Sequence, residues 1–334
     1  MTRVQSLLRR AGPEIAVTLL LAAFPWFGGK FYVDLATTIM ILAVFALSLE
    51  VLVGATGLVS FGHAAFFGVA AYAATLLSPK AAAASVLWLL PASVFAAAAF
   101  AAVVGALSLR TRGIYFIMVT LAFAQMAYYV FHDTKLGGGS DGIYLYVKPV
   151  LAIGGATLVS LDQPLAFYYT TLACLVATFA FLAVVLRSRF GHALAGIRAN
   201  EVRMRAAGYS TYPYKLAAFV LAGGLAGVAG FLYAVKDGFV NPEILSWHQS
   251  GAVLLMIILG GVGRLRGAVL GAFAFALLKE LFQSEAIFGP LARHWQLLLG
   301  FAIIGCVALM PEGLIGLPAQ LRRARLRAGA PRAA

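Results

Sequence analysis

The sequence predicts an all-α fold, a polytopic transmembrane helical bundle of about ten spans (8–10), with both termini cytoplasmic. Three observations predict it. Of 334 residues, 62% are hydrophobic and 11% charged, against roughly 25% charged in a soluble domain, so a water-exposed surface could not be covered. Apolar runs of about 20 residues, the length that crosses a hydrocarbon core as a helix, recur from Ile15 to Leu309. Basic residues gather in alternate connecting segments, the mark of the positive-inside rule.

The expected spans are residues 14–29, 33–53, 58–78, 86–109, 113–132, 165–186, 215–235, 247–262, 267–285 and 294–311. The third is Gly-rich and suits a broken or re-entrant helix; the eighth is short. With a cytoplasmic N-terminus, the inner segments carry Arg3, Arg9 and Arg10, then Arg110 and Arg112, then Arg187, Arg189, Arg198, Arg203, Arg205 and Lys215, then Arg264 and Arg266, then five arginines after Leu321. The outer segments carry Lys30, Lys80, Lys135, Lys148, Lys236 and Arg293, offset by acidic residues such as Asp34, Asp141 and Glu243. The net charge of +13 therefore reports orientation rather than nucleic-acid binding. Basic tails, 1–13 and 318–334, flank a membrane domain over 14–317. Arg9 and Arg10 precede an apolar stretch as in a signal peptide, but no clear small-residue cleavage site follows, and a retained first helix is expected. Cys174 and Cys306 lie within apolar runs and read as core residues.

Two connections stand out by length. The outer loop 133–164 contains the turn-rich run Gly137-Gly138-Gly139-Ser140-Asp141-Gly142. The inner loop 187–214 is highly charged, and Phe190 to Gly208 reads as one short amphipathic helix, with Ala193, Leu194 and Ile197 at helical spacing. Glu201 lies three residues after Arg198 and four before Arg205, within reach of either. Gly208 suits a left-handed helix end.

Several chemistries are excluded. The only Gly-Lys pair, Gly29-Lys30, lacks the rest of a P-loop, so the chain has no such means of hydrolysing ATP. The five histidines are scattered, without a His-Glu-x-x-His zinc helix. Apart from residues at the outermost turns and His63, the ionisable side chains clearly inside the spans are Glu50, Lys279 and Glu280. Charge is costly in lipid, which makes each a functional candidate, although snorkelling or helix contacts also account for Lys279 and Glu280.

The densest polar and glycine cluster in an apolar region is 54–72, with Gly54, Gly57, Ser60, Gly62, His63 and Gly68. One reading is a helix broken at a cavity, whose free N-terminal amides favour a carboxylate. The other is a small-residue packing face with one satisfied histidine. A second cluster, with Gly223 and Gly227 as a GxxxG, is read as tight helix packing.

Taken in order, these residues resemble branched-chain amino-acid ABC permeases of the LivM type. The resemblance rests on Ser60-Phe-Gly-His-Ala-Ala-Phe-Phe-Gly68, on Arg110-Thr-Arg-Gly-Ile-Tyr-Phe-Ile-Met-Val-Thr-Leu-Ala-Phe-Ala-Gln125, and on Gly138-Gly-Ser-Asp-Gly-Ile143. It continues through Arg187-Ser-Arg-Phe-Gly-His-Ala-Leu-Ala-Gly-Ile-Arg-Ala-Asn-Glu201, Leu259-Gly-Gly-Val-Gly263 and Pro311-Glu-Gly-Leu-Ile-Gly316. It covers roughly residues 40–317.

The resemblance implies a subunit that is not itself an enzyme, in a bacterial inner membrane. Its implied partners are a second related permease, two cytoplasmic ATPase subunits that bind ATP and Mg, and a periplasmic substrate-binding protein; this chain itself would hold no cofactor. It implies that Gly191, Arg198, Glu201 and Gly208 belong to the loop that couples to the ATPases. Glu50, Ser60, Gly62, His63 and Gln125 are expected along the substrate pathway. The chain departs from the family's pattern at Glu50, where asparagine is usual, at His192, and at Arg264 and Arg266 in a turn usually small or apolar. Relatives of this kind also carry urea and short amides, which is the alternative cargo. A self-sufficient secondary carrier is the alternative mechanism, but it would want a second broken helix and a midplane carboxylate. A membrane enzyme would want a catalytic cluster that the sequence lacks.

Overall fold

The computed structural model describes residues 3–153, 156–310 and 312–317. Helix α1 (Arg3–Ala23) ends in a 3-10 turn containing Pro25. Helix α2 (Lys30–Glu50) follows, starting after an extended Gly29. It runs into a π-helical turn (Val51–Thr56), Gly57 turns left-handed at φ 74°, and a non-helical link leads to α3 (His63–Leu77). Then come α4 (Val86–Ser108), α5 (Ile114–Asp133) and α6 (Pro164–Arg187). Two short helices, α7 (Arg189–Ala199) and α8 (Glu201–Ala206), precede α9 (Thr211–Asp237). The chain ends with α10 (Trp247–Gly260), α11 (Leu265–Gln283), the single turn α12 (Glu285–Phe288) and α13 (Trp295–Leu309).

Burial sorts these helices. The apolar stretch that includes α2 is 83% buried and that of α9 72%, whereas α4, α5 and α6 are 28%, 22% and 28% buried. Helices α2 and α9 are therefore the core, and α4, α5 and α6 turn apolar faces outward, as lipid or another apolar helix requires. Small residues bring α9 close to its neighbours. A Cβ on Gly227 would stand 2.8 Å from the Cβ of Ala97 on α4; Gly223 faces Ala101, and Gly230 faces the Phe67 carbonyl on α3. Gly227→Leu should therefore lower thermal stability by about 1–3 kcal/mol through overpacking. An unchanged melting temperature in detergent would contradict this.

The ten expected spans are not all present as full-length helices. Six stretches of the described residues are long and apolar enough to cross a membrane, or up to seven if α10 and α11 count as one bent span. Helix α3, with 15 residues, and α10, with 14, reach only about 21–23 Å at 1.5 Å per residue, short of a core about 30 Å thick. The break between α10 and α11 bends the chain by 115°. Positive φ at Gly261 (114°) and Gly263 (90°) permits that turn. Beyond it the two helices touch backbone to backbone: a Cβ on Gly260 would fall on the Gly267 carbonyl, and one on Gly271 on the Met256 carbonyl.

At the end opposite α7 and α8, the 133–164 loop carries strands as well as turns. Gly138, Gly139 and Gly142 adopt positive φ. Strand β1 (Ile143–Tyr144) pairs antiparallel with β4 (Phe239–Val240), tying the loop to the end of α9. Strands β2 (Val150–Ile153) and β3 (Ala156–Ser160) pair with each other. Lys236 bridges to Asp34 at 3.1 Å, clamping α9 to the start of α2 at this same end.

Candidate functional site

Two polar centres interrupt the apolar core. The first gathers where α3 begins. Ser48 on α2 donates to the Phe45 carbonyl at 2.6 Å, and its Oγ lies 2.8 Å from His63 Nε2. With its proton already committed, Ser48 Oγ accepts from His63, which sets the Nε2–H tautomer. His63 Nδ1 is then a buried acceptor without a partner among the described residues. The ring stacks on Phe45 at 5.5 Å and meets Phe66 edge-on at 5.6 Å.

Hydroxyls cap the helix that His63 starts. Ser60 Oγ accepts from the Gly62 amide at 3.2 Å, and Ser250 Oγ, on α10, accepts from the Ala64 amide at 2.9 Å. Two of the amides expected to favour a carboxylate are thus already engaged by the chain's own side chains. Gly62 is glycine because α5 crosses here: a Cβ would collide with the Thr120 carbonyl. Gln125 lies further along α5, half-buried. Ser48 and Ser250 escaped the sequence reading, although a lone serine in an apolar helix is a visible signal. Ser250→Ala should cost about 1 kcal/mol, the usual value of a helix cap. Thermal unfolding in detergent reads this directly, and a variant as stable as wild type would deny Ser250 a capping role.

The second centre lies between α7, the 51–57 segment and the α10–α11 turn. Glu50 is 2% exposed. Its Oε1 accepts from the Gly263 amide at 2.6 Å. Arg198, on α7, donates from Nη1 to the Gly54 carbonyl. The structure thus brings Glu50, expected on the pathway, near Arg198, expected in the coupling loop, while His63 bonds to Ser48, two residues before Glu50 on α2. The unusual Arg264 and Arg266 tie the same turn outward, to Glu312 at 3.4 Å and to Glu14 at 2.8 Å.

The amphipathic segment 190–208 is two helices, which corrects the single helix expected. Asn200 is extended (φ −161°, ψ 99°), and its side chain accepts from the Arg203 amide at 2.9 Å, capping α8. An asparagine that bonds its own backbone competes with helix continuation. Gly191, Ala193, Leu194 and Ile197 form the buried face of α7. Gly191 permits the tight α6–α7 corner, where a Cβ would strike the Leu186 backbone. Gly208, at φ 88°, closes the segment in the left-handed region, as expected. Glu201 pairs with Arg205 at 2.5 Å rather than with Arg198, and its Oε1 also accepts from Lys215 at 2.9 Å and Thr211 at 2.8 Å. Partial burial opposes ionisation of Glu201, but the bonds from Lys215, Arg205 and Thr211 and the Lys215 charge outweigh it and hold its pKa at about 2. Among the described residues, Lys279 lies 5.4 Å over the Trp295 ring, and no group of three His, Cys, Asp or Glu side chains is placed to hold a metal ion.

A bundle of apolar helices with buried polar breaks and a docked amphipathic segment is the architecture of a multi-pass membrane protein. Residues 31–308 match the family described as branched-chain amino acid transport system / permease component, and the chain belongs to that family. It is 30% identical over 321 residues, 90% of this chain and 74% of the relative, to the high-affinity branched-chain amino acid transport system permease protein LivM of Escherichia coli K12. It is 23% identical over 292 residues, 83% of this chain and 91% of the relative, to LivH of Salmonella typhimurium, a permease protein of the same kind of system. A 160-residue stretch, 46% of each chain, is 30% identical to the autoinducer 2 import system permease protein LsrC of Klebsiella pneumoniae. No solved structure matches.

Proposed function

We propose that this chain is one of two related permease subunits of an ATP-driven importer, and that the cargo is a branched-chain or related amino acid. The observation that carries the coupling is α7, whose apolar face is buried on the bundle while Arg198 reaches the Gly54 carbonyl beside the break in the core. In this reading two cytoplasmic ATPase subunits bind ATP and Mg and press on α7 and α8. A periplasmic binding protein delivers cargo at the β1–β4 end, and both termini lie in the cytoplasm of a bacterial cell. The pathway passes Ser60, Gly62, His63 and Gln125, with Glu50 at its inner end. Gly191 and Gly208 set the two corners of the coupling loop, and Glu201 fastens it to α9.

Reconstitution tests the proposal. The complex of this chain, its partner permease and the ATPases, in liposomes with the binding protein, should show ATPase stimulation by the leucine-loaded form. Stimulation only by a urea- or amide-loaded form would overturn the cargo. Uptake by this chain alone under an ion gradient would overturn the mechanism.

A further inference from the structure

The junction around Gly54 is built from three separate stretches of chain. Gly54 lies within the π-turn that ends α2, and such turns disturb the helical ladder, freeing carbonyls for outside donors. One of those carbonyls takes the Arg198 guanidinium. On the same turn the Glu50 carboxyl lies across the Cα of Gly54, where any Cβ would strike it. The same carboxyl oxygen, Oε1, accepts from the Gly263 amide. The chain of contacts therefore runs Arg198, Gly54, Glu50, Gly263, from α7 through the core to the α10–α11 turn.

The chemistry of Glu50 makes this chain of contacts conditional. Oε2 is buried without a hydrogen-bond partner among the described residues, and the Arg198 charge acts favourably on the Glu50 carboxylate. A buried carboxylate held only by the backbone amides of Gly263 and Arg264 depends on that charge, because an uncompensated buried ion is strongly disfavoured. Moving α7 away would remove the donor from Gly54 and the compensating charge from Glu50 together. The two glycines that would turn as it moves, Gly57 and Gly263, already sit at positive φ.

On the coupling reading above, we infer that Glu50 and Arg198 are a positioning pair that transmits displacement of α7 to the 51–57 segment and the α10–α11 turn at once. Glu50 then acts from the inner end of the pathway on its geometry, without contacting cargo.

The test uses the reconstituted complex and reads cargo transported per ATP hydrolysed, together with the half-saturating concentration of loaded binding protein. Glu50→Gln keeps an acceptor for Gly263 and removes the charge beside Arg198. Arg198→Gln removes the opposite charge. Each should lower transport per ATP about tenfold, within the usual range for coupled sites, with half-saturation unchanged. The double variant should be no worse than the poorer single, since both cut one link. Gly54→Ala, which displaces the Glu50 carboxyl without removing it, should give the same loss and serves if Glu50→Gln fails to assemble. Transport per ATP unchanged in either single, losses that multiply in the double, or a shifted half-saturation alone would overturn the inference. A wild-type complex that loaded binding protein does not stimulate would instead sink the coupling reading itself.

Discussion

Gly271→Leu is expected to abolish recovery of folded protein. At this position α10 and α11 touch through backbone alone. A Cβ would land on the Met256 carbonyl and 2.7 Å from the Gly260 amide nitrogen, and neither is a flexible side-chain end that could swing away. The helices would have to part along the whole contact, also made by Gly260 and Gly267. Overpacking usually costs about 1–3 kcal/mol, and this rigid site should reach or exceed the top of that range, a large share of a stability of roughly 5–15 kcal/mol. Gly300 on α13 is the control, because nothing among the described residues lies within 4 Å of a Cβ there. The monodisperse fraction after detergent extraction should collapse for Gly271→Leu and hold for Gly300→Leu. Equal recovery of the two would show that the α10–α11 contact can open at little cost.

Glu201→Ala should release the coupling loop from α9. Lys215 is buried and would lose the carboxylate 2.9 Å away, while Arg205 and Thr211 lose their shared acceptor. Breaking a fully buried pair costs about 3–5 kcal/mol; partial exposure of Glu201 screens this to about 2 kcal/mol. Stimulated ATPase activity should fall with it, since α8 would no longer move with α9. Acid should mimic the substitution. The folded-state pKa of about 2 lies below the ordinary 4.5, so the stabilisation is complete above about 4.5 and is lost as pH falls towards 2. Amide protection of residues 201–215, corrected for intrinsic exchange rates, should drop over that window in wild type and stay low and pH-independent in Glu201→Ala. A protection profile that is the same in both proteins would remove Glu201 from this role.

Much of this architecture was legible in the sequence because lipid imposes simple demands. Apolar runs located α2, α4, α5, α6 and α9, and the glycines near 57–62 marked the break before α3. The spans near 58–78 and 247–262 were overcounted because hydropathy reports composition, whereas crossing also needs length, and α3 and α10 stop short. Asn200 was a readable helix stop, overridden by the apolar periodicity on its N-terminal side. Strands β2 and β3 flank Gly154-Gly155 with Val, Ile, Leu and Thr, a hairpin signal hidden within a loop judged by its turn residues. Glu50 and His63 were visible as polar residues in apolar surroundings, and Arg198 through the family resemblance of the charged inner loop. Their partners were not: Ser250 lies 186 residues from Ala64 and Gly263 213 from Glu50, and no local pattern encodes such distances.

The heavy burial of α2 by later helices, α6, α9 and α11, also bears on biosynthesis. Helix α2 leaves the ribosome about 160 residues before α9 begins, so at about 5–20 residues per second it waits on the order of ten seconds for that part of its cover. Its apolar sequence makes lipid a tolerable waiting place. Ser48 and Thr37 already bond to carbonyls of their own helix, so those hydroxyls need no distant partner in the interval. Glu50 does, because both Arg198 and Gly263 emerge later. Until then its carboxyl is best placed at the headgroup level, which its position at the end of α2 allows. The nascent chain is thus most exposed to error at one residue, and maturation ends only when α7 and the α10–α11 turn have closed over it.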